Sequence, residues 1–274
     1  MAGCPAGSLR KGATLAGGFE CSLLELDVIG DACGLDVRPF PFDVPVHGEL
    51  IEDRVRLVAA VQRSLTGKGL ADRDSLAPTV VRLVGLFARP QWSIGMLGSA
   101  GTQTYCVRTG SDGRSAVLAQ RWGELVRFDP ITPESVVREL VRLLPPAKPG
   151  PGASVTIALA NESRTRGRHR RDDDAPDTFL QPGRPTRTTD GAQLGIARDI
   201  LRRPRAGAGY FIVTERGPNG RDGEPQTMSW LDTDAGRYVV LSSVGADGQQ
   251  YATYAPADLQ RVENNLERLA GLRH

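Results

Sequence analysis

Gly207 and Gly209 stand among three arginines in the stretch ILRRPRAGAGYFIVTE, residues 200–215, and glycines in such surroundings can cradle a phosphate. A phosphate loop requires a strand, then the glycines, then a helix, because the anion binds free backbone N–H groups at the helix N-terminus. Here the order is reversed, since a helical pattern ends at Pro204 and the apolar run Tyr210–Val213 follows the glycines. The sequence therefore argues against nucleotide binding, and we expect the glycines to ease a corner between helix and strand.

Cysteine and histidine are too scattered to predict a metal centre or a nucleophilic active site. No two of the four cysteines form a CxxC pair, and neither GxSxG nor HExxH occurs. The cysteines are Cys4, Cys21, Cys33 and Cys106, and the three histidines are His47, His169 and His274. We therefore expect reduced thiols packed as small apolar side chains, with no metal and no cofactor. An enzyme is the weaker alternative, and it would need a deep pocket with titratable groups near His47.

The composition favours neither nucleic acid nor a membrane as a partner. The 274 residues include 34 basic and 32 acidic side chains, and aromatic residues make up 5%. Such a balance gives no overall field to attract phosphates, and the arginines between residues 164 and 171 are followed at once by Asp172, Asp173 and Asp174. No apolar run approaches the ~20 residues of a membrane helix, and the N-terminus lacks the apolar core of a signal peptide. We expect a cytoplasmic protein without a membrane span.

The predicted elements form two similar series. The first contains a helix over Phe19–Cys33 with a Ser22/Glu25 capping box, an edge strand over Val37–Val46, and helices over Glu49–Leu65 and from Asp74 to Arg89. The Glu49–Leu65 helix carries an apolar stripe of Ile51, Val55, Val58 and Leu65. Four strand-like runs, QWSIGML, TYCVRT, SAVLAQ and ELVRFD, precede a helix that begins at Thr132-Pro133.

The second series repeats this order after another Arg-Pro stop, with YFIVTE, PQTMSWL, RYVVLSSV and QQYATY followed by a helix from Pro256. We therefore expect an α+β fold with quasi-twofold duplicated architecture, in which helical bundles flank a central, mainly antiparallel β-sheet. The alternative is a chance resemblance between two α+β halves. The expected division is a flexible tail (1–18), a first half (19–150), a linker with a mobile Arg/Asp-rich loop (151–190) and a second half (191–274), together forming one compact domain.

Apolar side chains on the predicted strands suggest a surface for another protein. A sheet with helices on one side can leave its other face free for a partner, and Trp92, Ile94 and Met96 lie on the strand-like run QWSIGML. The alternative is that these residues belong to the core, which we expect for Phe211 and Tyr238.

Several segments resemble the EspG family of ESX (type VII) secretion-associated proteins. The most specific is SWLDT followed by GRY, residues 229–233 and 236–238, and the similarity extends over most of residues 19–272. The resemblance implies a cytosolic chaperone that covers the apolar helical tip of PE/PPE heterodimers. It implies partner contacts in the central sheet, in the loop after its second strand and in the C-terminal helix. In this sequence those residues are Trp92, Ile94, Met96, Leu97, Gly98 to Gly101, Leu259, Val262 and Leu266, or their exposed neighbours.

Two departures from the family pattern bear on the partner. The GSAG loop, residues 98–101, is short for a long client-grasping arm, and the middle segment is rich in Arg and Asp where an extended helix is usual. An orphan scaffold or regulator that kept the fold without a PE/PPE client is therefore the main alternative. When free of its client, the protein is expected to be a monomer or a weak homodimer.

Overall fold

A computed structural model of the chain describes residues 17–48, 50–73, 75–159, 191–217, 219–246 and 248–272. The strands are β1 (Phe19–Ser22), β2 (Trp92–Ala100), β3 (Gln103–Ser111), β4 (Ala116–Trp122), β5 (Leu125–Ile131), β6 (Val155–Ala158), β7 (Arg205–Glu215), β8 (Gln226–Thr233), β9 (Gly236–Val244) and β10 (Gln250–Pro256). The helices are α1 (Leu23–Cys33), α2 (Ile51–Gly67), α3 (Pro78–Ala88), α4 (Val136–Val141), α5 (Gly191–Arg202) and α6 (Leu259–Leu269). In these ranges no helix is long and apolar enough to cross a membrane.

All ten strands form one sheet in the order β1-β5-β4-β3-β2-β7-β8-β9-β10-β6. Every neighbouring pair is antiparallel. Counted outward from the centre, β2, β3, β4, β5 and β1 on one side correspond to β7, β8, β9, β10 and β6 on the other. The predicted α+β class and quasi-twofold plan are confirmed. The boundaries of the two halves stay predictions, and the tail up to residue 16 and the Arg/Asp-rich loop lie outside the described residues.

The two series meet where β2 pairs with β7, from Trp92 opposite Glu215 to Ala100 opposite Gly207. At this seam Gly98 lies opposite Gly209, and both pack against the indole of Trp230. A Cβ atom on Gly209 would come within 2.0 Å of that ring and 2.5 Å of the Leu97 carbonyl oxygen. The sequence-based expectation of a helix-to-strand corner was wrong, because the glycines lie within β7 and make room for its neighbours.

Alternate residues of the strands feed cores on opposite faces of the sheet. On β4, Val117 and Ala119 join the cluster under α1, α2 and α3, whereas Ala116 and Leu118 join the cluster under α4 and α6. A third cluster packs α5 against the outer strands of the second series. Helices therefore cover both faces, as the period-2 alternation of strand side chains requires.

The N-terminal region differs from its prediction in three places. The Ser22/Glu25 capping box is present, but α1 begins only at Leu23, because Phe19–Ser22 pairs with β5 as an edge strand. The predicted edge strand over Val37–Val46 is not a strand, since its three prolines remove donors that a ladder needs. The predicted stripe of α2 is buried only at Leu65, and its other three members are exposed.

The SWLDT and GRY segments form the β8–β9 hairpin and hold the connection between the two series. Asp232 accepts hydrogen bonds from Nε and Nη2 of Arg237 at 2.6 and 2.7 Å, and both side chains are buried. Nη2 of Arg237 also donates to the Pro145 carbonyl at 2.9 Å, and the Tyr238 hydroxyl donates to the Pro151 carbonyl at 3.0 Å. The motif therefore attaches the chain that follows α4 to the second series.

Replacing Gly209 by alanine tests the close packing at the seam. We expect Gly209→Ala to lower the free energy of unfolding by about 3 kcal/mol or more, because its methyl group overlaps Trp230 and the β2 backbone. Gly195→Ala is the control, since a Cβ there has no neighbour within 4 Å. It should be neutral or stabilise the protein by up to about 1 kcal/mol. Urea denaturation measures both, and equal stabilities would contradict the packing argument.

The buried ion pair makes a second prediction for the free energy of unfolding. Asp232→Ala should lower it by about 3–5 kcal/mol, because Arg237 is left as a buried cation without its carboxylate. Joint replacement, Asp232→Leu with Arg237→Met, should cost less than the single change since no uncompensated charge remains. The same denaturation assay measures both variants. If the double variant is at least as unstable as Asp232→Ala, the pair stabilises the fold through the geometry of its hydrogen bonds, and charge neutralisation is not the cause.

Candidate partner-binding surface

The predicted partner residues on β2 divide between the two faces of the strand. Ile94 and Met96 are 0% exposed in the cluster beneath α4 and α6, and Trp92 is partly buried against the same cluster. Leu97 lies on the opposite face, half-buried beside its cross-strand neighbours Cys106 and Tyr210. As placed, Ile94 and Met96 stabilise the core and are not accessible to a partner.

The predicted residues of the C-terminal helix also face inward. Val262 and Leu266 are 0% exposed, and Leu259 is partly buried against the same cluster. The outward neighbours are polar, with Gln260 and Arg268 exposed. Partner contact through Val262 and Leu266 stays an untested prediction, and in this structure it would require α6 to leave the sheet.

The loop after the second strand of the sheet, β2, is the tip of the β2–β3 hairpin. Gly101 and Thr102 form the two-residue connection, and Gly101 has a φ of +59°, a left-handed conformation that favours glycine. Ser99 and the residues from Gly101 to Thr104 are exposed. Gly98 lies at the β2–β7 seam, just before the tip, and packs against Trp230. Of the predicted site, this tip is the part that a partner can reach.

Beside the tip, β3 and β4 separate from each other. Their pairing runs only from Val107 opposite Gln120 to Ser111 opposite Ala116, so Gln103–Cys106 and Arg121–Trp122 do not pair across the gap. A surface depression occupies this gap, which we call the β3–β4 cleft, and it is lined by Gln103–Val107, Gln120–Trp122 and Leu143. Both strands present polar side chains and backbone at its mouth.

Trp122 gives the cleft an exposed aromatic wall. It pairs across the β4–β5 hairpin with Leu125, and each of the two side chains is 44% exposed. The sequence analysis predicts neither residue as a partner contact. The sequence does contain a signal for Trp122, because this aromatic residue directly precedes Gly123 at a hairpin turn. At such a turn the side chain lies beyond the helices that cover the sheet.

Polar contacts join both strands of the cleft to the Pro-rich segment 37–46. Cys106 Sγ lies 3.4 Å from the Pro41 carbonyl oxygen, and Nη1 of Arg121 donates to the Asp43 carbonyl at 2.7 Å. Nearby, Arg108 donates to the carbonyls of Phe87 and Phe40 at 3.1 and 2.9 Å. Burial lowers the pKa of Arg108 to about 10, so the guanidinium stays charged at neutral pH. These bonds fix the Pro-rich segment against the sheet.

Two of the described cysteine thiols are not activated as nucleophiles. Burial raises the pKa of the Cys106 thiol to about 11 and also raises the pKa of Cys21, so neither is a thiolate at neutral pH. His47 has its Nδ1 3.4 Å from Asp27, which two arginines already occupy. Within the described ranges, no group of three or more His, Cys, Asp or Glu side chains could hold a metal ion.

Comparison with known proteins agrees with the resemblance seen in the sequence. Curated protein sequences give no significant match. Among solved structures, the Mycobacterium tuberculosis type VII secretion system chaperone EspG5, in complex with a PE25–PPE41 dimer, has a TM-score of 0.61 and 13% identity, with 92% of this chain and 95% of that chain covered. At that identity the similarity shows a shared fold. The model of the EspG family matches residues 22–268, and the chain therefore belongs to the EspG family.

Proposed function

We propose that this protein is a chaperone of a type VII secretion system, which binds a PE/PPE-like helical substrate and keeps it soluble without catalysing a reaction. The observation that carries the proposal is the family match over residues 22–268. The fold shared with EspG5, whose structure was solved with a PE25–PPE41 dimer, supports it. A chaperone that holds a substrate before export acts in the cytoplasm, which is the location we propose.

The client-binding surface in this proposal consists of the β2–β3 tip and the β3–β4 cleft. A helical bundle that ends in apolar side chains aggregates unless those side chains are covered. Trp122 and Leu125 offer exposed apolar area beside the cleft, and the polar rim at Gln103 and Thr104 can bond to the free N–H or C=O groups of a helix end. An aromatic anchor within a polar rim is the usual composition of a protein interface.

The short tip favours a second candidate function. With two residues between β2 and β3, the hairpin cannot extend far around a client. A scaffold or regulator within a secretion cluster, without a PE/PPE client, fits this feature. The binding experiment below distinguishes the two functions. A scaffold would retain other products of the secretion cluster and would not retain the PE/PPE-like pair.

The client experiment is co-expression of the tagged chain with PE/PPE-like pairs from the same genome, followed by affinity capture. We expect one pair to be retained and Trp122→Glu to reduce retention about tenfold or more, because a carboxylate would be desolvated at the interface. Ile196→Glu on α5 is the matched control, since Ile196 is 46% exposed and Trp122 is 44% exposed. Thermal unfolding of both variants verifies that the fold is intact.

Three outcomes would count against the proposal. Capture of no PE/PPE-like pair by the wild-type chain would contradict the function. Equal loss of retention in Trp122→Glu and Ile196→Glu would contradict the surface and leave the function standing. If Trp122→Glu retains the pair as well as the wild-type chain does, the client binds another part of the molecule.

A further inference from the structure

Three apolar side chains form an exposed stripe along the N-terminal half of α2. Ile51, Val55 and Val58 are 84%, 63% and 40% exposed, and their i, i+4, i+7 spacing places them on one side of the helix. Leu50, just before the helix, is 69% exposed. Farther along the helix Val61 and Leu65 are buried, and Leu65, seven residues after Val58, continues the line of these side chains into the core. We call Ile51, Val55 and Val58 the α2 stripe.

Ionic contacts hold the free half of α2 in place. Nη1 of Arg54 donates to Asp27 at 2.5 Å, and the second Nη atom pairs with Asp31. Asp27 also accepts from Nη2 of Arg38 at 2.6 Å and from the His47 backbone amide at 3.2 Å. Burial alone would raise the pKa of Asp27, but these hydrogen bonds together lower it, so the carboxylate is charged at neutral pH. The anchored helix therefore presents a defined apolar surface.

From residue 51 to residue 60, every side chain except Arg54 and Leu57 is exposed. This half of the helix contacts α1 through Arg54 and leaves most of its surface exposed. Among the described residues, nothing buries the α2 stripe, so a partner can reach it.

The charges beside the stripe are arranged for an antiparallel partner of the same sequence. Glu52 lies on one flank near the start of α2, and Arg63 lies on the same flank about three turns later. When two copies of a helix pack antiparallel, residues of the same flank face each other, so Glu52 of each copy meets Arg63 of the other. Val55 then lies opposite Val58 of the second copy. A parallel arrangement would not bring these charges together.

We propose that the α2 stripe is a self-association surface, on which a second copy of this chain packs through its own α2 in an antiparallel, twofold arrangement. The interface is isologous, since the same residues serve both copies. Stable dimers commonly bury about 1,200–2,000 Å² in total, and three apolar side chains per copy provide less than that. The association is therefore weak and dependent on concentration, and it is separate from the β3–β4 cleft.

Sedimentation velocity over a series of protein concentrations tests the proposal. The wild-type chain should show reversible dimerisation, and Val55→Glu should weaken association about tenfold or more, because each dimer would bury two carboxylates. Val244→Glu on β9 is the control, since Val244 is 68% exposed and lies far along the chain in the other series. It should leave association unchanged.

A charge exchange tests the antiparallel register. Glu52→Arg and Arg63→Glu should each weaken association, and the double variant should restore it, because opposite charges again face each other. Both side chains are exposed, so the fold is not at risk. A double variant weaker than either single variant would overturn the register.

Two results would overturn the proposal itself. One is a wild-type chain that stays monomeric up to the highest soluble concentration. The other is association that Val55→Glu and Val244→Glu affect equally. Client capture by Val55→Glu distinguishes this proposal from the chaperone function. The Val55→Glu variant should capture the client as well as the wild-type chain does. If this variant loses client capture and the wild-type chain is monomeric, the α2 stripe binds the client.

Discussion

The antiparallel pairing of β2 with β7 is the contact on which the remaining structure depends. It joins the two five-strand series into one sheet and therefore places α4 and α6 against each other over the same face. The pairing is possible at this closeness because Gly98 and Gly209 leave space for the indole of Trp230. A Cβ atom at either glycine would overlap the Trp230 ring, and the strands and the ring would have to move apart.

A second constraint acts on the connection between the series. After α4 the chain must cross to the far edge of the sheet, where β6 pairs with β10. Arg237 reaches that crossing chain through the Pro145 carbonyl while Asp232 neutralises it, and the pair is shielded from solvent. Burying a charge is costly unless it is paired and hydrogen-bonded, so neither residue is replaceable alone. The segment that resembles the family most strongly is thus a structural element of the fold.

Sequence periodicity predicted the strands well and the exposed surfaces poorly. The eight strand-like runs and their order follow from alternation and turn residues, and all eight are strands of the sheet. Alternation assigns Ile94 and Met96 to one face of β2 but cannot say that α4 and α6 cover that face. Likewise, the spacing of Ile51, Val55 and Val58 predicts an apolar stripe but not whether the protein itself covers it. β1 was missed because a four-residue edge strand depends on its neighbour β5 for its structure.

The same alternation explains which side chains of the strands reach solvent. Helices and the Pro-rich segment cover much of the sheet, and the large apolar side chains of the strands that reach solvent, Trp122, Leu125 and Val244, lie at strand ends. Trp122 and Leu125 lie at such an end, and β3 and β4 separate next to them. On the surface that we propose, the short β2–β3 tip limits how far the protein can surround a client, and the shape of the β3–β4 cleft then discriminates between clients. A client with a compact apolar end fits this geometry better than one that needs a long embracing arm.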